Sequence, residues 1–339
     1  MKRTMGPLGW RGFRLTMRET MTWVFLMTCF LLPSRLAFSL ETLTVTLPSK
    51  AFQQVIYPIA QERGFMKEEG IDLKVVFMET TPGIQAVIAG SAQFTGSGSS
   101  ALVAIAKGGA PLKTVLAVND RVHQWVLAGP NIASPKELKG KKIATTGVAA
   151  LATFMFKQIL PRYGLDGNKD VVFLDPGVGN QLPALLAGAV DASILSVEQR
   201  YLGIDKGMKE LVNLGNEMKN SWGTLATSDR FIKEQPKLMA GFARATLKAL
   251  RLIRQDREGT IAAIVKFSGL QQSLATRMYD DLIGTFTSNG TVDEETQRND
   301  LAIVRQVAGV TATIPIARAY DFSFAVEADR ELNRTGWRP

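Results

Sequence analysis

Gly96-Ser97-Gly98-Ser99-Ser100 packs three hydroxyls and two glycines into five consecutive residues. Hydroxyl O–H groups and unhindered backbone amides can together surround a carboxylate, sulfonate or phosphate without a counter-charge. The stretch is not a nucleotide-type phosphate loop, because Lys107 comes too late and no Gly-Lys-Ser/Thr follows. Six other segments share its character: Ser49–Gln53, Thr80–Gly83, Asn119–His123, Thr145–Gly147, Gly177–Asn180 and Ser196–Glu198. Each alone also reads as an ordinary cap or turn. As a set they could line one polar cleft.

Histidine and cysteine, which carry much covalent catalysis and zinc binding, are scarce. His123 is the single histidine and Cys29 the single cysteine, so no ordinary zinc site can be assembled. His123 reads as a loop or core residue rather than a catalyst. There is no nucleophile-elbow sequence and no prominent carboxylate pair, and Gly177-Val178-Gly179 is too short for a dinucleotide fingerprint. Phe52, Trp125 and Trp222 could stack on a flat ligand, or pack. The aromatic residues form no nucleic-acid stripe. The expectation is a binding protein, not an enzyme, with no cofactor and no metal.

The hydroxyl segments need elements to position them. Thr42–Leu47 (TLTVTL) alternates and is β-branched, so it predicts a strand that Pro48-Ser49-Lys50 ends. An amphipathic helix runs to about Arg63, Gly64 caps it, and Ile71–Met78 forms a second strand. Pro82 is placed to start a helix ending at Gly90, and Ala92–Thr95 leads into the Ser/Gly loop. Leu112–Val118 and Trp125–Ala128 are further strands. Ser134 is the expected N-cap of a helix with Pro135 in its first turn, before strand Ile143–Thr145. Strand alternating with helix implies an α/β fold with mostly parallel, wound sheets, whose ligands bind beyond the carboxyl ends of the strands.

The pattern occurs twice. GFMKEEGIDLKVVF (Gly64–Phe77) followed by AVIAG (Ala86–Gly90) returns about 97 positions later as RYGLDGNKDVVF (Arg162–Phe173) and ALLAG (Ala184–Gly188). Two copies predict two lobes, hence a cleft. Tyr201–Gly223 reads as the return crossing, and the chain is helical almost from Ser228 to its end. The expected units are residues 40–122 with 224–339 as a discontinuous first lobe, and 123–223 as the second. A chain of 339 residues with 46% hydrophobic content has material for two cores.

Residues 1–39 differ from the rest. Five basic residues from Lys2 to Arg18 precede an apolar run, Thr22–Leu32, and a small-x-small site at Ala37-Phe38-Ser39. That layout predicts a secretory signal peptide cleaved near Ser39; an uncleaved anchor is the alternative. Its six Lys/Arg against one acid account for +5 of the formal +9, which weakens any nucleic-acid or membrane-surface reading. Cys29 would leave with it.

The residues GFMKEEGIDLKVVF, AVIAGSAQF, KGGAPLKTV, SPKELKGKKIAT and ALLAGAVDASILS, in this order across Leu43–Ser196, resemble the periplasmic substrate-binding proteins of ABC importers. The similarity is to the NMT1/THI5-like branch, which includes taurine, alkanesulfonate, nitrate and thiamine-precursor binders. It implies a type II periplasmic-binding fold, two lobes joined by two crossing strands, and closure over a small ligand. A membrane permease and ATPase are then the implied partners of a chain expected to be monomeric. One departure is Gln93, where the family often has aspartate; Asp191 keeps it in the second copy.

The residues expected to hold the ligand are Phe52, Gln53, Gly83, Ser97, Ser99 and His123 from one lobe, and Thr145, Thr146, Gly179 and Glu198 from the other. The expected ligand is a small organic acid or nitrogen heterocycle, with a lean towards an anion. The alternatives are an enzyme of thiamine-pyrimidine or menaquinone type on the same fold, and an exported sensor for a membrane kinase.

Overall fold

Ten strands assemble into two five-stranded mixed sheets in a computed structural model that describes residues 40–177 and 179–339. The expected signal peptide and Cys29 lie outside the described residues. In the first sheet, β1 (Glu41–Leu47) pairs in parallel with β2 (Ile71–Phe77) and with β3 (Phe94–Thr95). Its neighbours β4 (Leu112–Asn119) and β10 (Trp222–Ser228) complete the order β2-β1-β3-β10-β4, with β10 antiparallel to both β3 and β4.

The second sheet contains β5 (Trp125–Ala128), β6 (Lys141–Ala144), β7 (Val171–Leu174), β8 (Ala192–Leu195) and β9 (Lys209–Asn213) in the order β7-β6-β8-β5-β9. Its arrangement repeats the first: β6 runs parallel to β7 and β8, and β5 is antiparallel to β8 and β9. The pairings Val45↔Val75 and Val45↔Phe94 recur as Ile143↔Phe173 and Ile143↔Ala192, each residue 98 positions further on.

This correspondence explains Gln93. Its side-chain Oε1 accepts from the backbone N–H of Thr44 at 2.7 Å, and in the second copy Asp191 Oδ2 accepts from Lys142 N at 2.8 Å. Both fasten the turn before the third strand to the first strand of their sheet. An amide oxygen does this as well as a carboxylate does, so the departure leaves the backbone unchanged.

Helices cover the sheets because β1, β4 and β8 are buried along most of their length and need partners on both faces. The longest, Pro236–Ile253, buries Met239, Phe242, Leu247, Leu250 and Ile253. Phe242 stacks on Phe94 of β3 with ring centroids 4.0 Å apart. Each such side chain contributes about 1.5–3 kcal/mol by leaving water.

Three local expectations change. The helix after β2 begins at Thr80 rather than at Pro82. Pro135–Leu138 is a short 3-10 turn, and Ser134 does not cap it; the Ser134 hydroxyl is instead spent on Glu137 Oε1 at 3.0 Å. Tyr201–Gly223 is no simple crossing: it holds the end of helix Val197–Asp205, all of β9, and the start of β10. The chain passes between the sheets at residues 120–124 and again at residues 214–221.

Candidate functional site

The loops at the ends of β1 and β3 face the start of helix Val197–Asp205 across a cleft of about 600 Å³. Both crossing segments form its floor, contributing His123 and Gln124 from one and Trp222, Gly223 and Thr224 from the other. Ser49, Lys50, Gln53, Gln54, Ser97, Ser99 and Ser100 line the first-sheet side; Leu151, Ser196 and Glu198 line the second.

Helix Gly98–Gly108 points its N-terminus into this space. Ser97 precedes it without bonding to the helix's own amides, so the first-turn N–H groups and three serine hydroxyls remain available to a ligand. Gly98 is required by packing. A Cβ there would lie 2.2 Å from Thr224 Oγ1 and 2.4 Å from the Thr224 carbonyl oxygen, so only glycine lets the helix start against β10. Gly223 is the counterpart on the floor: its φ is +63°, and a Cβ would meet Gln53 Cγ at 2.7 Å.

On the opposite wall Ser196 caps helix Val197–Asp205 through a reciprocal capping box with Gln199. Glu198 in the first turn is half-buried and has no ion-pair partner among the described residues. Lys50 brings the opposite charge to the cleft, its Nζ 5.6 Å above the Phe77 ring.

The structure therefore gathers Gln53, Ser97, Ser99, His123 and Glu198 around one cavity. The other five candidates do not line it. Phe52 is 2% exposed and packs edge-on against Phe286, at 5.2 Å between centroids. Gly83 is buried against Thr46 of β1. Thr145 is fully buried, its hydroxyl engaged with Thr153, while Thr146 is exposed on the surface. Gly179 forms a turn in which its N–H donates to Gln181 Oε1 at 3.1 Å. Trp125 lies buried under the Arg200 guanidinium, whereas Trp222 reaches the cleft.

Sequence reading missed Gln54, Thr224, Ser268 and Leu270. Thr224 escapes because it falls between the expected crossing, Tyr201–Gly223, and the expected helices from Ser228, where no strand is predicted. Ser268 ends a helix remote in sequence and Leu270 comes just after it, and no local pattern reveals their return to the cleft.

His123 is buried, and its Nε2 lies 2.9 Å from Thr285 Oγ1. Burial pushes its pKa down to about 3, so the imidazole is neutral at physiological pH. Asp300, on helix Glu294–Ala308, fastens the second crossing. Its Oδ1 accepts from Asn220 Nδ2 at 2.9 Å and Ser221 N at 3.0 Å, and its Oδ2 accepts from the Ser221 and Tyr320 hydroxyls. Burial raises its pKa to about 6 even against these four donors.

Beside the floor, the two sides of the cleft are clasped together. Arg200 Nη1 lies 3.0 Å from Asp281 Oδ2, and the Tyr201 hydroxyl donates to the same oxygen. Arg277, one turn before Asp281, pairs with Asp205 at 2.9 Å and lies 4.3 Å above the Tyr201 ring. A more open groove of about 870 Å³ lies between residues 215–219 and 284–296. Of the cations lining it, Lys219 is taken up by Asp293 and Glu295, Arg121 pairs with Asp120 at 3.5 Å, and Arg254 donates to the Phe286 carbonyl at 2.6 Å. Among the described residues no group of three or more His, Cys, Asp or Glu side chains is placed to hold a metal ion, and no helix is long and apolar enough to cross a membrane.

A family model described as NMT1/THI5 like matches residues 52–259. No curated protein matches the chain. Among solved structures the chain is similar to the periplasmic sulfonate-binding protein SsuA from Methylobacillus flagellatus KT. That match has 17% identity and a TM-score of 0.74, covering 89% of this chain and 98% of that one. It is similar also to the periplasmic nitrate-binding protein NrtA from Synechocystis PCC 6803, with 13% identity and a TM-score of 0.66, over 86% and 89% of the two chains. The desulfurization enzyme DSZB matches at 14% identity and a TM-score of 0.66, over 87% and 99%. At these identities the likeness is one of fold.

Proposed function

Because this chain belongs to the NMT1/THI5 like family and has the generic periplasmic binding protein fold, we propose that it is an extracytoplasmic solute-binding protein. It captures a small organic ligand between two lobes, residues 40–122 with 224–339 and residues 123–223, and delivers it to the permease and ATPase of an ABC importer. The export segment ending near Ser39 puts it in the periplasm, where it acts as a monomer. The observation that carries this reading is the cleft itself, lined by hydroxyls and amides from both sides of the molecule.

A ligand that touches both sides favours the closed arrangement and shifts an open–closed equilibrium towards it. The available N–H groups of helix Gly98–Gly108, its serines and Lys50 favour an organic anion at that end. The printed names of the sulfonate- and nitrate-binding neighbours point the same way.

The likeness to DSZB supports a second reading, an enzyme on the same fold. Binding is favoured over turnover because no cleft serine hydrogen-bonds to His123 or Glu198 among the described residues, and the His123 Nε2 is committed to Thr285. Turnover of a bound metabolite would reverse that order.

The test is a thermal-shift screen of small acids and nitrogen heterocycles, in which a ligand at a hundred times its dissociation constant adds about 2.7 kcal/mol. Ser97→Leu combined with Ser99→Leu is expected to abolish the ligand-induced shift. An undiminished shift in that variant would remove the cleft as the binding site.

A further inference from the structure

Of the nine large apolar side chains that stand exposed among the described residues, four lie at the mouth of the cleft: Val76 and Phe77 at the end of β2, Val148 after β6, and Leu174 at the end of β7. Topology puts them there. The crossing segments join β4 to β5 and β9 to β10, and β2 and β7 are the sheet edges farthest from those strands. Displacement grows with distance from a hinge, so closure moves these two edges most. Lys50 and Leu151, close in sequence or space to Phe77 and Val148, line the cavity itself, so the two lips border it directly.

The lips are equivalent parts of the two modules. Leu47 pairs with Phe77, and 98 positions further on Thr145 continues the ladder beside Asp175, its N–H donating to the Leu174 carbonyl at 2.9 Å. Lys50 and Val148 follow three residues after Leu47 and Thr145. Within each lip the two side chains are neighbours. Lys50 Nζ lies 5.6 Å above the Phe77 ring. Asp175 Oδ2 lies 4.0 Å from where a Cβ on Gly147, the residue before Val148, would sit. Phe77 is 47% exposed and Val148 50%. Lys50 and Asp175 are exposed too, and neither has an ion-pair partner among the described residues. The copies have thus diverged, to a cation and a ring in one lip and to methyls and a carboxylate in the other.

Equivalent surfaces that meet about an approximate two-fold do so crosswise: one position of the first touches a different position of the second, and the reverse. Crosswise contact sets Lys50 opposite Asp175 and Phe77 opposite Val148, charge to opposite charge and apolar to apolar. Contact between like positions would press the ammonium on Val148 and the carboxylate on the Phe77 ring, stripping water from both charges with no partner in exchange. We propose that these four residues form a latch at the mouth of the cleft, closing as a Lys50–Asp175 ion pair beside a Phe77–Val148 contact and shutting the bound ligand off from solvent. What covers each lip is the other lip. The inference rests on the reading that the lobes close over a ligand, and it assigns what meets at the rim when they do. The latch is separate from the Arg200–Asp281 clasp, which lies beside the floor.

A cysteine pair tests the latch without any ligand, because the free protein samples the closed arrangement. The chain from Leu40 onward carries no cysteine of its own. A disulfide forms only where two Cα atoms come within about 7 Å, so a bond between the lips reports that they meet. Phe77→Cys with Val148→Cys is expected to cross-link within one molecule under diamide, while a mixture of the two single-cysteine proteins gives no dimer. In the paired background, adding Asp175→Lys sets two cations face to face and is expected to slow the cross-link roughly fivefold at low ionic strength. Adding Lys50→Asp as well reverses the pair and is expected to restore the rate. In 1 M salt, where charges are felt over only about 3 Å, the three rates are expected to converge. The positions are exposed, so the substitutions leave both cores untouched. Absence of the intramolecular bond overturns the latch and gives the exposed side chains to another occupant, such as a membrane partner. A rate indifferent to the charge reversals overturns the crosswise pairing. Neither result touches the binding reading, which stands or falls on the thermal-shift screen.

Discussion

Gly98→Ala is expected to eliminate ligand-induced stabilisation and to lower the unfolding midpoint by several degrees. The new methyl would sit 2.2 Å from Thr224 Oγ1, 2.4 Å from the Thr224 carbonyl oxygen and 2.7 Å from its carbon. A hydroxyl can rotate away, but the backbone of β10 is held by its ladders to β3 and β4. Helix Gly98–Gly108 must move instead, carrying Ser97, Ser99 and Ser100 out of register with the floor. Overpacking of this kind costs about 1–3 kcal/mol, and in a chain of this size each kcal/mol moves the midpoint by about 2–4 °C. Gly108, at the other end of the same helix, is the control. A Cβ there meets nothing within 4 Å, so Gly108→Ala should leave both the midpoint and the ligand shift intact or slightly improved. Thermal melts of both variants, with and without the best probe from the screen, decide it. A Gly98→Ala protein that still responds fully to ligand would exclude this loop from the site.

Asp300 is the second position where one substitution should matter greatly. Asp300→Ala leaves the Ser221 amide and the Asn220 side chain without an acceptor in a dry interior, at a cost of about 3–5 kcal/mol. Asp300→Asn is different. Its oxygen can keep both of those donors, while its NH₂ faces the Ser221 and Tyr320 hydroxyls, which can turn to accept. The pH dependence separates charge from shape. The folded-state pKa of about 6 lies above the ordinary 3.8, so the folded protein holds this proton more tightly than the unfolded chain does. The resulting stability is fully present below about pH 4 and is lost as pH rises through 6, about 3 kcal/mol in all. Urea denaturation between pH 4 and pH 7 should show this slope in the wild type and a flattened one in Asp300→Asn. An unchanged slope in Asp300→Asn would mean that Asp300 is not the group titrating.

Much of this architecture can be read locally. TLTVTL shows the two-residue period and β-branched composition of a strand, and Pro48 follows directly on the end of β1. The two modules are recognisable because each must build the same strand–helix–strand turn, down to Gln93 and Asp191 fastening equivalent backbone amides. Ser97, Ser99 and Glu198 were legible as cleft residues because helix starts at strand ends can be recognised from composition alone. β9, KELVN, was hidden: an edge strand keeps charges to discourage further pairing, and charges erase the alternating pattern. Thr145 and Gly83 misled for a related reason. They occupy the right position along the chain, but the Thr145 hydroxyl is turned to Thr153 and the Gly83 backbone is packed against Thr46, contacts that no spacing rule supplies. His123 is held by Thr285, which is 162 residues away.

Helix Val197–Asp205 presents Glu198 to the cleft and, within the next turn, holds Asp281 through Arg200 and Tyr201. Under the proposed function, clasp and ligand draw on a single open–closed equilibrium. Whatever population of the closed form the clasp supplies in advance, the ligand does not have to generate, and apparent affinity rises by the same factor. Residues such as Arg277 and Asp281 then act as a gain control. Drift at those positions resets the concentration at which the protein responds, while the chemistry it recognises stays with the floor and walls of the cleft. Sensitivity and selectivity can be inherited separately.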